Sequence, residues 1–135
     1  MNDQGSINAV ALIGRVMLAT IFVWTGIEKF LTYAPTLAYM EKFHVPGALL
    51  PAVIGLEITG GLLVAIGWQT RIVAAALAVF SVLTAACFHA NWNERAQVIQ
   101  TLKNIAISGG FLILIPSDLG RWSLDGWQVR EKRKS

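Results

Sequence analysis

Residues 48–67 read ALLPAVIGLEITGGLLVAIG, twenty residues with a single charged side chain, Glu57, near their middle. As a helix, a run of that length crosses the ~30 Å hydrocarbon core of a bilayer, and it is far too long for a strand. Pro51 falls in its first turn, where a missing N–H costs little. Three further apolar runs flank it, from about Ile7 to Leu31, from Arg71 to about Ala90, and from about Val98 to Ile115. The last ends at Pro116, which cannot continue a helix. The pattern predicts an all-α integral membrane four-helix bundle, a single domain over residues 1–135 with spans 7–31, 48–67, 71–90 and 98–115 and a basic cytoplasmic tail at 117–135.

Composition agrees. The chain has 135 residues, 55% hydrophobic and 14% charged, with a mean hydropathy of +0.57. A soluble domain carries about 25% charged residues. The pI near 9.4 raises nucleic acid as a partner, but four of the eleven Lys and Arg residues are Arg130, Lys132, Arg133 and Lys134. A basic tail beside a span sets orientation or touches anionic head groups, and the lipid bilayer rather than nucleic acid is the expected partner. The first run is too long for a signal-peptide core, and the residues before it hold Asp3 but no Lys or Arg, so it reads as a retained span. Cys87 is the one cysteine. It allows no intrachain disulfide or CxxC pair, and in an Ala-rich run it reads as a small packed hydrophobe.

The links differ in kind. Gln69-Thr70 is a tight turn between Trp68 and Arg71. The stretch Thr32 to Gly47 sets Leu37, Met40 and Phe43 at i, i+3, i+6 after Pro35-Thr36, which predicts a short interfacial helix between spans 1 and 2. Trp68, Trp92, Trp122 and Trp127 fall at or beyond span ends, as an aromatic belt requires. Arg71, Arg121 and the basic tail gather on one side, against Lys42 and Arg95 on the other, which places both termini in the cytoplasm.

Charge inside hydrocarbon costs about 2.5–3.5 kcal/mol per group at mid-depth, so each such residue needs a partner or a purpose. The first span holds Arg15, Glu28 and Lys29, the second Glu57, the third ends in His89, and the fourth opens with Lys103-Asn104. By depth, Lys29, His89, Lys103 and Asn104 share the outer level. Glu57 lies about 13 Å into its span and Arg15 on the inner half of the first. Arg15, Ala19, Phe22, Gly26 and Lys29 form one stripe; Glu57, Gly61 and Val64 form a second; Ala75, Ala78, Val82, Ala85 and His89 a third; Lys103, Ile107 and Gly110 a fourth. The polar and small-residue stripes coincide, which predicts a polar, outward-opening pocket inside the bundle. Gly26, Gly60, Gly61, Gly109 and Gly110 are the expected packing glycines.

Each residue also has a plainer role. Lys29, Lys103 and Arg71 can snorkel, His89 can cap its helix, Asn104 can glue helices, and Glu57 with Arg15 can form a structural ion pair. His44 and His89 both face outward, but one lies in a link and no second motif supports haem ligation. No spacing of His, Cys or carboxylates suggests a metal, and no Gly-rich phosphate loop is present.

Gly14-Arg15 with Gly26 and Lys29, Glu57-x-x-Gly60-Gly61 leading through Gly67 to Thr70-Arg71, His89, Lys103-Asn104, Gly109-Gly110 and the closing run Gly120 to Asp125 together resemble the DoxX family from about Ile13 to Asp125. The resemblance implies a four-helix fold in the bacterial inner (plasma) membrane. Some members are labelled oxidoreductases or associate with thiosulfate, quinone or thiol-stress pathways. The expected function is a non-autonomous subunit of redox or stress metabolism. Its outer pocket would hold a quinone-like or small anionic ligand through Lys29, His89, Lys103 and Asn104, with Glu57 moving protons or balancing Arg15. A membrane redox partner or a homo-oligomer is the expected companion. The alternatives are a small oligomeric transporter or a purely structural membrane partner.

Overall fold

The apolar runs form helices because a backbone in hydrocarbon must satisfy its own hydrogen bonds. The computed structural model describes residues 3–89, 91–117 and 120–134, and every regular element among them is helical. The elements are α1 (Asp3–Leu31), α2 (Tyr33–Lys42), a 3₁₀ turn (Gly47–Leu49), α3 (Leu50–Ile66), α4 (Thr70–Phe88), α5 (Arg95–Leu114) and α6 (Leu124–Lys134). Among the described residues, three stretches are long and apolar enough to cross a membrane: Asp3–Leu31, Gly47–Ile66 and Thr70–Phe88. The run predicted as a fourth span is a helix, α5, which begins three residues early at Arg95; diluted by Gln97, Gln100, Lys103 and Asn104, it is not among the three stretches apolar enough to cross. Ala90, the predicted end of the third span, lies outside the described residues.

α1 packs along α3 and α4 along α5, while α3 joins the two pairs through α4. Their shared core is Phe22, Val64, Ala74, Leu77, Ala78 and Phe111, with Phe22 edge-on to Phe111 at 5.3 Å between ring centroids. Close helix contacts need side chains absent at the crossing. A Cβ on Gly61 would stand 2.8 Å from Val23 Cγ2, one on Gly60 would stand 3.2 Å from Leu77, and one on Gly110 would stand 3.1 Å from Leu18. Gly109 departs from expectation: a Cβ there meets nothing within 4 Å, so it is not a packing position.

The predicted short helix between the first two spans is α2, opening at Tyr33 with Pro35 in its first turn. Met40 joins Leu50 and Ile54 in a second small core, and Tyr39, Phe43 and Phe88 stack over it with centroids 4.9–5.5 Å apart. The stripes on α1 and α3 lie inward as their spacing requires, with Arg15, Ala19, Phe22 and Gly26 buried opposite Glu57, Gly61 and Val64. Two others are corrected. α4 buries Ala74, Leu77, Ala78, Ser81 and Ala85 and leaves Val82 exposed. α5 buries Thr101, Ser108 and Phe111, one position round from the stripe through Lys103. The reason is hydrogen bonding: the hydroxyls of Thr101 and Ser108 reach carbonyls of the third span's helix and its cap, at His89 (2.7 Å) and Ala78 (3.1 Å).

Candidate functional site

Two charged centres lie at opposite ends of the α1·α3 contact. One, toward the C-terminal end of α1, is built on Glu57, which is 3% exposed. Lys29 Nζ donates to its Oε1 at 3.0 Å and Thr25 Oγ1 donates to the same oxygen at 3.1 Å. Glu57 Oε2 is buried with no hydrogen-bond partner among the described residues. The helices come close enough for this because Gly26 faces the carboxylate's own backbone; a Cβ there would stand 2.7 Å from Ile58 and 3.1 Å from Glu57 Cβ. Lys29 keeps 29% of its side chain exposed, so the centre communicates with the surface at the end of α1. The arrangement is an anchored carboxylate with one acceptor lone-pair set unused, beside an ammonium group that has further N–H donors to give.

The other centre is built on Arg15, which is fully buried. Its Nη2 donates to the carbonyl of Trp122, 107 positions along the chain, while Nε and Nη1 have no partner among the described residues. Gly67 ends α3 with φ 73°, in the left-handed region, and a Cβ there would overlap Arg15 Nη1. Just beyond, Asp125 caps the start of α4: its Oδ1 accepts from Gln69 N–H and its Oδ2 from Thr70 N–H, both at 2.9 Å, and its own N–H donates to Gly67 O at 2.9 Å. Buried Asn8 completes the clamp by accepting Arg121 N–H at 3.2 Å. The segment Gly120–Asp125, part of the stretch expected as a basic tail, thus folds back against the turn between α3 and α4.

The pairing of Glu57 with Arg15, drawn from depth alone, is corrected: Glu57 pairs with Lys29, and Arg15 is held by the C-terminal segment. The four residues expected in one outer pocket do not converge. His89 Nδ1 meets Gln97 Oε1 at 2.7 Å across α4 and α5, Lys103 is exposed, Asn104 is half-buried on α5, and Lys29 stays with Glu57. Near His89 a cleft of about 310 Å³ opens between Lys42, Phe43, Cys87, Asn91, Glu94 and Gln97. His44 is exposed at the end of α2. Among the described residues no group of three His, Cys, Asp or Glu is placed to hold a metal ion.

Sequence reasoning missed Thr25, Asn8, Trp122 and Asp125. Two of these carried a signal. Thr25 stands one turn before Lys29, and Asn8, Arg15, Phe22 and Lys29 recur every seven residues along one side of α1.

The DoxX family profile matches residues 10–90. The chain is 42% identical over 114 residues to inner membrane protein YqjF of Escherichia coli strain K12, covering 84% of this chain and 88% of that one. It is 30% identical over 131 residues to inner membrane protein YphA of the same organism, covering 91% and 94% of the two chains. No solved structure matches.

Proposed function

Since the chain belongs to the DoxX family and is an integral inner-membrane protein, we propose that it is a non-autonomous membrane subunit linked to redox or stress metabolism, with Glu57, Lys29 and Thr25 as its ligand site. In this reading α1, α3, α4 and α5 form a four-span bundle with both termini in the cytoplasm. Arg71, Arg121 and the basic tail on one side favour that orientation, and the seating of Ser108 against α4 favours α5 as the fourth span. Cys87, exposed at the end of α4, then reacts with a membrane-impermeant maleimide from the outer side of intact cells.

The ligand is quinone-like, or a small anion that uses Lys29 alone. A quinone carbonyl accepts from Lys29, and the hydroxyl of its reduced form donates to Glu57 Oε2. The observation that carries this is the unpartnered, buried Oε2 beside a cation open to the surface. Orphaned buried acceptors are costly, and ionisable groups inside a membrane are functional by default. With one cysteine the chain brings no dithiol of its own, so electrons would come from a membrane redox partner. The rival transporter reading meets an obstacle, because the α1·α3 contact is closed at Gly61 between the two charged centres. A solute path would need a second copy of the chain.

The test is extraction of bound lipophiles from protein purified in mild detergent, together with thermal shifts by a short-chain quinone. Co-purified quinone, and stabilisation that Glu57→Gln removes, support the proposal. Extracts without quinone and an unshifted melting curve overturn it.

A further inference from the structure

We infer that α6 is an anionic-lipid-binding helix, fixed by its first turn at the level where α3 turns into α4. This goes beyond the ligand site. Three tethers set the position of its start: Asn8 to Arg121, Arg15 to Trp122, and Asp125 to Gln69 and Thr70. That turn joins two helices long and apolar enough to cross a membrane, so α6 begins at a bilayer surface. Most of its later side chains reach the surface: Trp127, Gln128, Val129, Glu131, Lys132 and Arg133 are exposed, and Arg130 is half-buried with its Nη2 donating to Arg121 O at 3.2 Å. Leu124 and Trp127 lie on one side of the helix, one turn apart, and Trp122 just before it is 51% exposed. An exposed Trp at this height is what the head-group layer accommodates.

Charge selects the kind of lipid. At the other end of the molecule three cations each follow an acid in sequence, Glu28-Lys29, Glu41-Lys42 and Glu94-Arg95, and Lys103 is matched in number by Glu57. Four cations against four acids leave this end with no net charge. At this end Arg130-Glu131-Lys132-Arg133-Lys134 carries four cations against one acid, with Arg121 nearby. A surface-held basic cluster gains about 1 kcal/mol per Lys or Arg from an anionic leaflet. A neutral leaflet offers it nothing of the kind. The chemistry that matches is a phospholipid bearing a net negative head group, such as phosphatidylglycerol.

The experiment is backbone hydrogen exchange of residues 124–134 in the full chain, held in nanodiscs of phosphatidylcholine alone or of phosphatidylcholine with phosphatidylglycerol. Both leaflets of a disc share one composition, so the result does not depend on which way the protein faces. Exchange is expected to slow about tenfold or more in the anionic discs and to recover when salt is raised toward 1 M. The variant Lys132→Gln/Arg133→Gln/Lys134→Gln, which leaves the three tethers and the donation of Arg130 Nη2 to Arg121 O (3.2 Å) in place, is expected to lose the protection. Its melting temperature in detergent should match the parent's, which separates lost lipid binding from lost folding. Equal exchange in the two disc types, or protection that the variant keeps, overturns the inference.

Discussion

α1 meets α3 at two buried charges, Lys29–Glu57 toward one end and Arg15 toward the other, about 21 Å apart along the helix. Both cations stand on one stripe, and the stretch between them is closed by Ala19, Val23 and Gly61. Their solutions differ. At Glu57 the countercharge comes from the neighbouring helix, the cation stays partly in contact with the surface, and one carboxylate oxygen is unused. At Arg15 the guanidinium is sealed, and its acceptor is a main-chain carbonyl brought in by a segment at the far end of the chain. A site that exchanges something with its surroundings needs the first arrangement. The second is a fastening, and it joins the N-terminal span to the C-terminus through the α3–α4 turn.

Substitutions at the fastening should therefore cost most in stability and least in ligand binding. Arg15→Ala leaves a cavity at a fully buried position and strips Trp122 O of its donor, for a loss of about 2–5 kcal/mol. Unfolding in detergent measures it, and limited proteolysis should show residues 120–134 released first. Gly67→Ala combines a left-handed backbone with an overlap on Arg15 Nη1, for about 1–3 kcal/mol. Asp125→Ala removes the acceptors from Gln69 N–H and Thr70 N–H and should cost about 0.5–2 kcal/mol, the range of a lost helix cap. If Arg15→Ala released ligand without moving stability, the division between the two ends would be reversed.

The α1·α3 half of this comparison was legible in the sequence, and the C-terminal half was not. Arg15, Ala19, Phe22, Gly26 and Lys29 mix charge with small residues on one stripe, and a membrane helix has to turn such a face inward. Glu57 with Gly61 repeats the pattern on α3. α5 misled because Lys103, Ile107 and Gly110 mimic that pattern, while Thr101 and Ser108, which hold the helix in place, are only weakly polar by composition. The return of residues 120–125 offers one side chain that bonds across to the α3–α4 turn, Asp125, and nothing in the sequence says which N–H groups it meets. Every one of its contacts has a main-chain group on at least one side, Trp122 O, Gly67 O or the N–H groups of Gln69 and Thr70, and main-chain groups look alike in any sequence.

The Glu57 end supplies the smaller effects, and they are the ones that separate binding from folding. Glu57→Gln keeps the size of the side chain and an oxygen for Thr25 and Lys29, so stability should move by about 1 kcal/mol or less. The stabilisation by a short-chain quinone should nonetheless vanish. The smallest effect is expected at Lys103. Its charge resembles that of Lys29 in the sequence, yet its side chain is exposed on α5 and the stripe facing α4 runs through Thr101 and Ser108 instead. Lys103→Ala should shift stability by no more than about 0.5 kcal/mol and leave the quinone-dependent shift intact. If Lys103→Ala instead abolished that shift while Glu57→Gln did not, the ligand would sit on α5, and the open valence at Glu57 would be a structural defect balanced by Lys29 alone. Two melting curves per variant, with and without quinone, are enough to tell these arrangements apart, because a fastening moves both curves together and a ligand contact moves only their separation.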